Sequence, residues 1–265
     1  MLRLLGCAWL ENARSGRPFM VSVATQVRPL SDRRFFSWMS VAMAAVAFAG
    51  FARTYYLAGF NDGPKPTITP IVHIHGALAT AWILLLIVQT RLVAYGRRDI
   101  HRLLGFVGVA IGAATIAAGI WVAIHSERRV HTAATAGTLA DPYVFLVFPF
   151  ASIGLFALFA TLGVLNRQRS EAHKRYMMLA TISMIVPAMA RLVTQTTHGA
   201  VAGVVGAMVI VNVFLIAMVA YDLYTRRRLH AVTLWGGLFT LLSEPLRFAI
   251  GHSAPFQAFA RSLMG

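Results

Sequence analysis

Seven apolar runs alternate with short polar connections along the chain, at approximately residues 36–59, 71–94, 103–125, 143–165, 176–197, 200–223 and 230–251. Each is long enough to cross about 30 Å of hydrocarbon at about 1.5 Å per residue. Lipid offers no water to backbone polar groups, so each run is predicted to be a helix. The predicted fold is all-α: a polytopic membrane protein with seven transmembrane helices in a bundle. Residues 35–265 form a single transmembrane domain in this reading. Residues 1–34 are polar, Arg-rich and aperiodic and read as a disordered cytosolic tail. The segment Phe256 to Leu263 reads as a short interfacial element.

Composition agrees with this pattern. Of 265 residues, 58% are hydrophobic and 12% charged, against about 45–50% and about 25% in soluble domains. A water-soluble globule is excluded. The net charge of +15 would suggest nucleic acid in a soluble protein, but here the basic residues gather in the connections between apolar runs. The tail, second, fourth and sixth connections together hold 17 Lys or Arg, and the opposite side holds four, Lys65, Arg128, Arg129 and Arg261. The positive-inside rule then places the N-terminus in the cytoplasm and the C-terminus outside. No nucleic-acid partner is expected; the surrounding partner is the lipid bilayer. Cys7 is the only cysteine, which excludes an intramolecular disulfide or a cysteine metal cluster.

The informative residues are those that topology does not explain. Arg53, Arg191 and Arg247, with the acid Glu244, fall inside predicted spans. Arg53 precedes Phe60 by seven residues, Arg191 precedes His198 by seven, and Glu244 precedes Gly251 by seven. Each therefore lies about 10 Å below the outer end of its helix. Ionised groups at such depth are costly in lipid and are expected to face the interior and find partners. The plain reading is a structural ion pair with the other arginines snorkelling to head groups. The sharper one is an outer-leaflet site whose excess positive charge accepts a carboxylate or phosphate.

Nine histidines add the second clue, since imidazole is the natural iron or copper ligand in a core without thiols. His75 shares a stripe with Trp82 and Gln89. His173, Ala180, Met184, Pro187, Arg191 and His198 share another, with Pro187 expected to kink the helix. His101 begins a small-residue face through Gly105, Gly108, Gly112 and Gly119. Two haem positions can be drawn: His75 with His198 or His125 on the outer side, and His101 with His173 on the inner. The opposing reading is that His101, His173 and His230 are simply interfacial side chains beside basic loops. Zinc or copper on His73 and His75 is a further alternative. No seventh-helix Lys for a retinal Schiff base, no Walker loop and no Ser/His/Asp order is present.

The segments Phe51-Ala52-Arg53-Thr54-Tyr55-Tyr56-Leu57, Val72-His73-Ile74-His75-Gly76-Ala77 with Ala81-Trp82, His101-Arg102-Leu103-Leu104-Gly105, Glu171-Ala172-His173-Lys174-Arg175 and Pro245-Leu246-Arg247 resemble a family of uncharacterised bacterial multi-pass inner-membrane proteins. The resemblance runs from about residue 33 to the end. It implies a bacterial inner-membrane location and helical architecture, and the family itself carries no established activity. A looser similarity to two-haem b-type membrane cytochromes rests on the His placement.

Three functions remain open at this point. One is a haem b- or quinone-binding redox protein, with His75 and His198 as iron ligands and Arg53, Arg191, Glu244 and Arg247 anchoring the cofactor. Another is binding or transport of an anionic or lipid-like small molecule by the same arginines. The last is a structural or assembly factor.

Overall fold

In the computed structural model the backbone is described for residues 7–11, 18–22, 30–60, 68–133 and 142–264, and the side chains for 34–60, 68–125 and 143–263. Within the N-terminal segment, β1 (Cys7–Glu11) and β2 (Pro18–Ser22) pair as an antiparallel ribbon, Trp9 opposite Met20. Everything described beyond residue 29 is helix or short connection.

Helix α1 (Leu30–Phe51) opens into a five-residue π segment, Ala52–Tyr56, and a 3-10 turn, Ala58–Phe60. Helix α2 (Pro70–Ala94) starts with Pro70 in its first turn, where a missing N–H costs nothing. Gly96, at φ +79°, turns the chain into α3 (Arg98–Ala133), which exceeds the predicted run at both ends. A single turn, α4 (Pro142–Phe145), leads into α5 (Val147–Leu165). The predicted fifth run, 176–197, is divided into α6 (Ser170–Met184) and α7 (Val186–Thr196), bent 48° apart at Ile185. Pro187 has no N–H to return to the Ser183 carbonyl, so the α-helical ladder cannot continue there. Helices α8 (Gly203–Arg226), α9 (Ala231–Gly251) and α10 (Ala254–Met264) complete the chain.

Among the described residues, five helices are long and apolar enough to cross a membrane, and six if the bent pair α6–α7 is one crossing. Helix α9 has 21 residues but carries Glu244 and Arg247, which lowers its apolar character.

The core is built where α1, α2, α5, α6, α7 and α8 meet, around Met43, Phe156, Met178, Met189 and Met218. Trp82 crosses from α2 to α6, donating from Nε1 to Thr181 Oγ1 at 3.1 Å, and meets Phe156 edge-on at 4.8 Å. Helices α1 and α7 touch backbone to backbone. A Cβ at Gly50 would stand 2.1 Å from the Ala188 carbonyl oxygen, and Gln195 Nε2 donates to the Gly50 oxygen at 3.3 Å. A smaller cluster of Ala123, Leu146 and Ala260 docks α10 against α3 and the α4 turn. Outward faces expose Phe106, Trp235, Val213 and Ile216, a pattern expected of lipid-facing surface.

The helix ends carrying most of the arginine converge. Lys174 Nζ lies 4.7 Å from the Phe36 ring centre, Arg91 lies over Trp38, and Arg226 reaches Glu171. At the opposite end Tyr55 meets His73, and Arg261 lies over Tyr143.

Candidate functional site

Two groups of polar side chains stand at the arginine-rich end. The first is a histidine pair. His101 sits one turn into α3, and its carbonyl receives Gln89 Nε2 of α2 at 3.1 Å, which locks the two helices at that level. His173 sits on the first turn of α6, its Nδ1 2.8 Å from the Gly163 carbonyl of α5. A carbonyl only accepts, so Nδ1 carries a proton, and the ring in its neutral form presents Nε2 as a lone pair. Beside this contact α5 and α6 pack closely: a Cβ at Gly163 would stand 2.4 Å from the Met177 methyl. The two rings stand edge-on to one another, with centres 6.2 Å apart and planes at 86°. His101 Nδ1 is buried with no partner among the described residues. One turn along α3, nothing lies within 4 Å of where a Gly105 Cβ would be.

The second group is an ionic network between α6, α8 and the start of α9. Arg175 is 1% exposed and Asp222 fully buried. Two guanidinium nitrogens of Arg175 donate to the two oxygens of Asp222. Thr233 Oγ1 donates to Asp222 at 2.6 Å and the His230 backbone N–H at 3.1 Å. The other side of Arg175 holds the carbonyl and carboxylate of Glu171 at 2.8 and 2.9 Å. Lys174 and Arg226 also grip Glu171, at 2.8 and 3.0 Å. His230 caps α9, its Nδ1 accepting from Val232 N–H at 3.1 Å. Burial first, and then the charges of Arg175 and Arg226, push the His230 imidazole below its ordinary value and keep it neutral.

An open pocket of about 490 Å³ adjoins this network, lined by Asn166, Gln168, Arg169, Ser170, Glu171, Tyr176, His230 and the first residues of α9.

The outer-leaflet cluster expected from Arg53, Arg191, Glu244 and Arg247 is not assembled. Arg53 lies on the π segment and is exposed. Arg191 is exposed on α7, with its guanidinium 4.8 Å from the Phe51 ring centre and a 3.4 Å bond to the Pro187 carbonyl. Its stripe was projected from His173 across a continuous helix, and the 48° bend ends that periodicity. Glu244 and Arg247 are buried on α9. Glu244 shares a side-chain hydrogen bond with Asn212 of α8. Arg247 donates to Ser243 Oγ at 3.2 Å, and its Nε has no partner among the described residues. No ion pair joins Glu244 to Arg53 or Arg191 among the described residues.

The proposed outer iron ligands are likewise apart. His75 of α2 turns toward α3, its Cε1 3.3 Å from where a Gly119 Cβ would be. His198 is exposed beyond α7 at φ 50°, and His125 stacks on Trp121. Helix α2 packs on α1 and α3, whereas α7 packs on α1 and α8, so His75 and His198 share no interface. His73 is exposed beside Tyr55, 5.6 Å between ring centres, and does not join His75 in a common site. The inner pair, His101 and His173, is the one that the fold brings together.

Sequence reasoning counted Lys174, Arg175 and Arg226 as loop charge and passed over Asp222. The signal was present: Asp222 is an acid inside the apolar run 200–223, one turn before Arg226-Arg227-Arg228. No protein family, curated protein or solved structure matches the chain.

Proposed function

We propose that this is a bacterial inner-membrane redox protein that holds haem b between His101 and His173 and passes electrons through it. In this reading α9 is the seventh crossing, the N-terminus is cytoplasmic and the C-terminus is outside, so the pair lies in the cytoplasmic leaflet. The Arg distribution supports the orientation. Length supports the crossing, since 21 residues rise about 31 Å.

The observation that carries the proposal is the closeness of the two imidazoles, whose planes are nearly perpendicular. Two rings bonded to one metal at about 2.0–2.1 Å per nitrogen have centres roughly 6 Å apart, close to the 6.2 Å found. The His173 Nδ1 bond to a backbone carbonyl is the outer-shell contact that orients a metal-binding imidazole. Two imidazoles are the donors that a haem asks of the protein. Haem iron needs only axial ligands from the protein. Arg102 at the helix start suits a propionate. When bound, haem supplies one-electron chemistry; His101 and His173 set its ligation, and burial among helices sets its dielectric.

The test is the absorption spectrum of full-length protein purified after expression with haem supplied. A Soret band that shifts on reduction is expected, and His173→Ala should lose most of it while retaining the melting behaviour of the parent. Absence of the band from folded parent protein would end the proposal.

A further inference from the structure

The pocket at the arginine-rich end has a charge balance that its composition alone hides. It contains one acid, Glu171, and the basic residue Arg169. Glu171 is already spent: Lys174 takes one carboxylate oxygen at 2.8 Å, and Arg175 and Arg226 take the other at 2.9 and 3.0 Å. Its carboxylate therefore offers little to a ligand. Arg169 is exposed and has no side-chain partner among the described residues, and neither has Gln168. His230 accepts at Nδ1 from Val232, so its single ring proton sits on Nε2 as a further donor. No side chain caps the first turn of α6, which also forms part of the wall. The charge left over in the pocket is thus positive, and its polar groups include donors from three segments. Tyr176, Ala172 and Val232 add apolar wall on helices that enter the membrane.

We propose that this pocket binds the phosphodiester head group of an anionic membrane lipid. Arg169 supplies the charge-assisted contact, with His230 Nε2–H and the Gln168 amide as neutral donors. The acyl chains would leave along Tyr176 and Val232. This site uses none of the residues proposed to hold haem and stands or falls separately.

The experiment uses full-length protein, stripped of lipid and placed in phosphatidylcholine vesicles doped with phosphatidylglycerol. Phosphatidylglycerol retained per chain is read by native mass spectrometry after extraction. The parent should retain it, and Arg169→Gln should weaken retention about tenfold, the scale of one charge-assisted contact. Arg97→Gln is the matched control: Arg97 is exposed at the same end but paired with Asp99 at 3.2 Å, and its loss should leave retention within about twofold. Both substitutions are on the surface, and a melting curve verifies folding. Competition by inorganic phosphate divides the sources. Failure to displace the lipid supports a membrane-derived head group, while displacement supports the same phosphate chemistry taken from solution. Equal losses in Arg169→Gln and Arg97→Gln, or no retention by the parent, would overturn the site.

Discussion

Replacing Asp222 by Asn tests the ionic network most severely, because it changes one charge and almost no volume. Asp222 is fully buried and Arg175 is 1% exposed, and both oxygens of the acid receive Arg175. Asparagine leaves the guanidinium without its principal counter-charge, Glu171 remaining on the far side. Removing one member of a buried pair costs about 3–5 kcal/mol, because the surviving charge stays desolvated. The Thr233 hydroxyl and His230 N–H both donate to one oxygen of the acid and lose its charge as well, although an Asn amide oxygen in that place can still accept from them. At about 2–4 °C per kcal/mol for a chain of this size, the midpoint should fall by roughly 6–20 °C. Intrinsic fluorescence of detergent-solubilised protein during heating supplies the assay, five Trp being present. The double variant Arg175→Met with Asp222→Leu should recover part of the loss, since it removes both charges. Recovery should be incomplete because Thr233 and His230 N–H then lack an acceptor, about 0.5–1.5 kcal/mol each. A fall of under 2 °C for Asp222→Asn, or strict additivity in the double variant, would refute the reasoning.

Other outcomes follow from the same geometry. Gly50→Ala should destabilise by about 1–3 kcal/mol or more in the same melt, since its Cβ would meet the Ala188 carbonyl at 2.1 Å and force α1 from α7; an unchanged midpoint would contradict that contact. Arg191→Gln should cost under about 1 kcal/mol, as the side chain is exposed, lies over Phe51 and bonds within its own helix turn. It should also leave any Soret band intact, whereas loss of the band would revive the outer site. For His230 the folded imidazole lies below the ordinary value of about 6.5. As pH falls below that value the unfolded chain takes up a proton that the folded chain refuses, so stability declines until the lower folded value is passed. His230→Asn, which keeps a capping side chain, should flatten the dependence of the melting midpoint between neutral and mildly acidic pH; an equally steep dependence in the variant would assign it elsewhere.

Helix positions were legible where composition alone decides them. The predicted run 71–94 became Pro70–Ala94 and 230–251 became Ala231–Gly251, because apolar length is itself the physical cause. That His101 and His173 stand at one end was also readable, since each opens a helix after a short basic connection, and the packing of α3 on α5 brings them together. Arg53, Arg191 and Glu244 were equated by depth, and depth is only one coordinate. Rotation about the helix axis decides what a side chain meets, and the bend at Ile185 and the π segment at Ala52–Tyr56 both reset it. Asp222 was hidden for a related reason. It sits at a helix end, where a charge ordinarily reaches water, and only the tertiary position of Arg175 turns it into a buried group. The arginines of the connections were read as a single topological signal, although Arg175 belongs to the interior.

Electron paramagnetic resonance of full-length protein loaded with ferric haem tests the central claim most directly. Two neutral imidazoles from His101 and His173 predict one low-spin haem per chain, converting to a high-spin or haem-free form in both His101→Ala and His173→Ala. A low-spin signal unchanged by either substitution, or folded parent protein that takes up no haem, would contradict it.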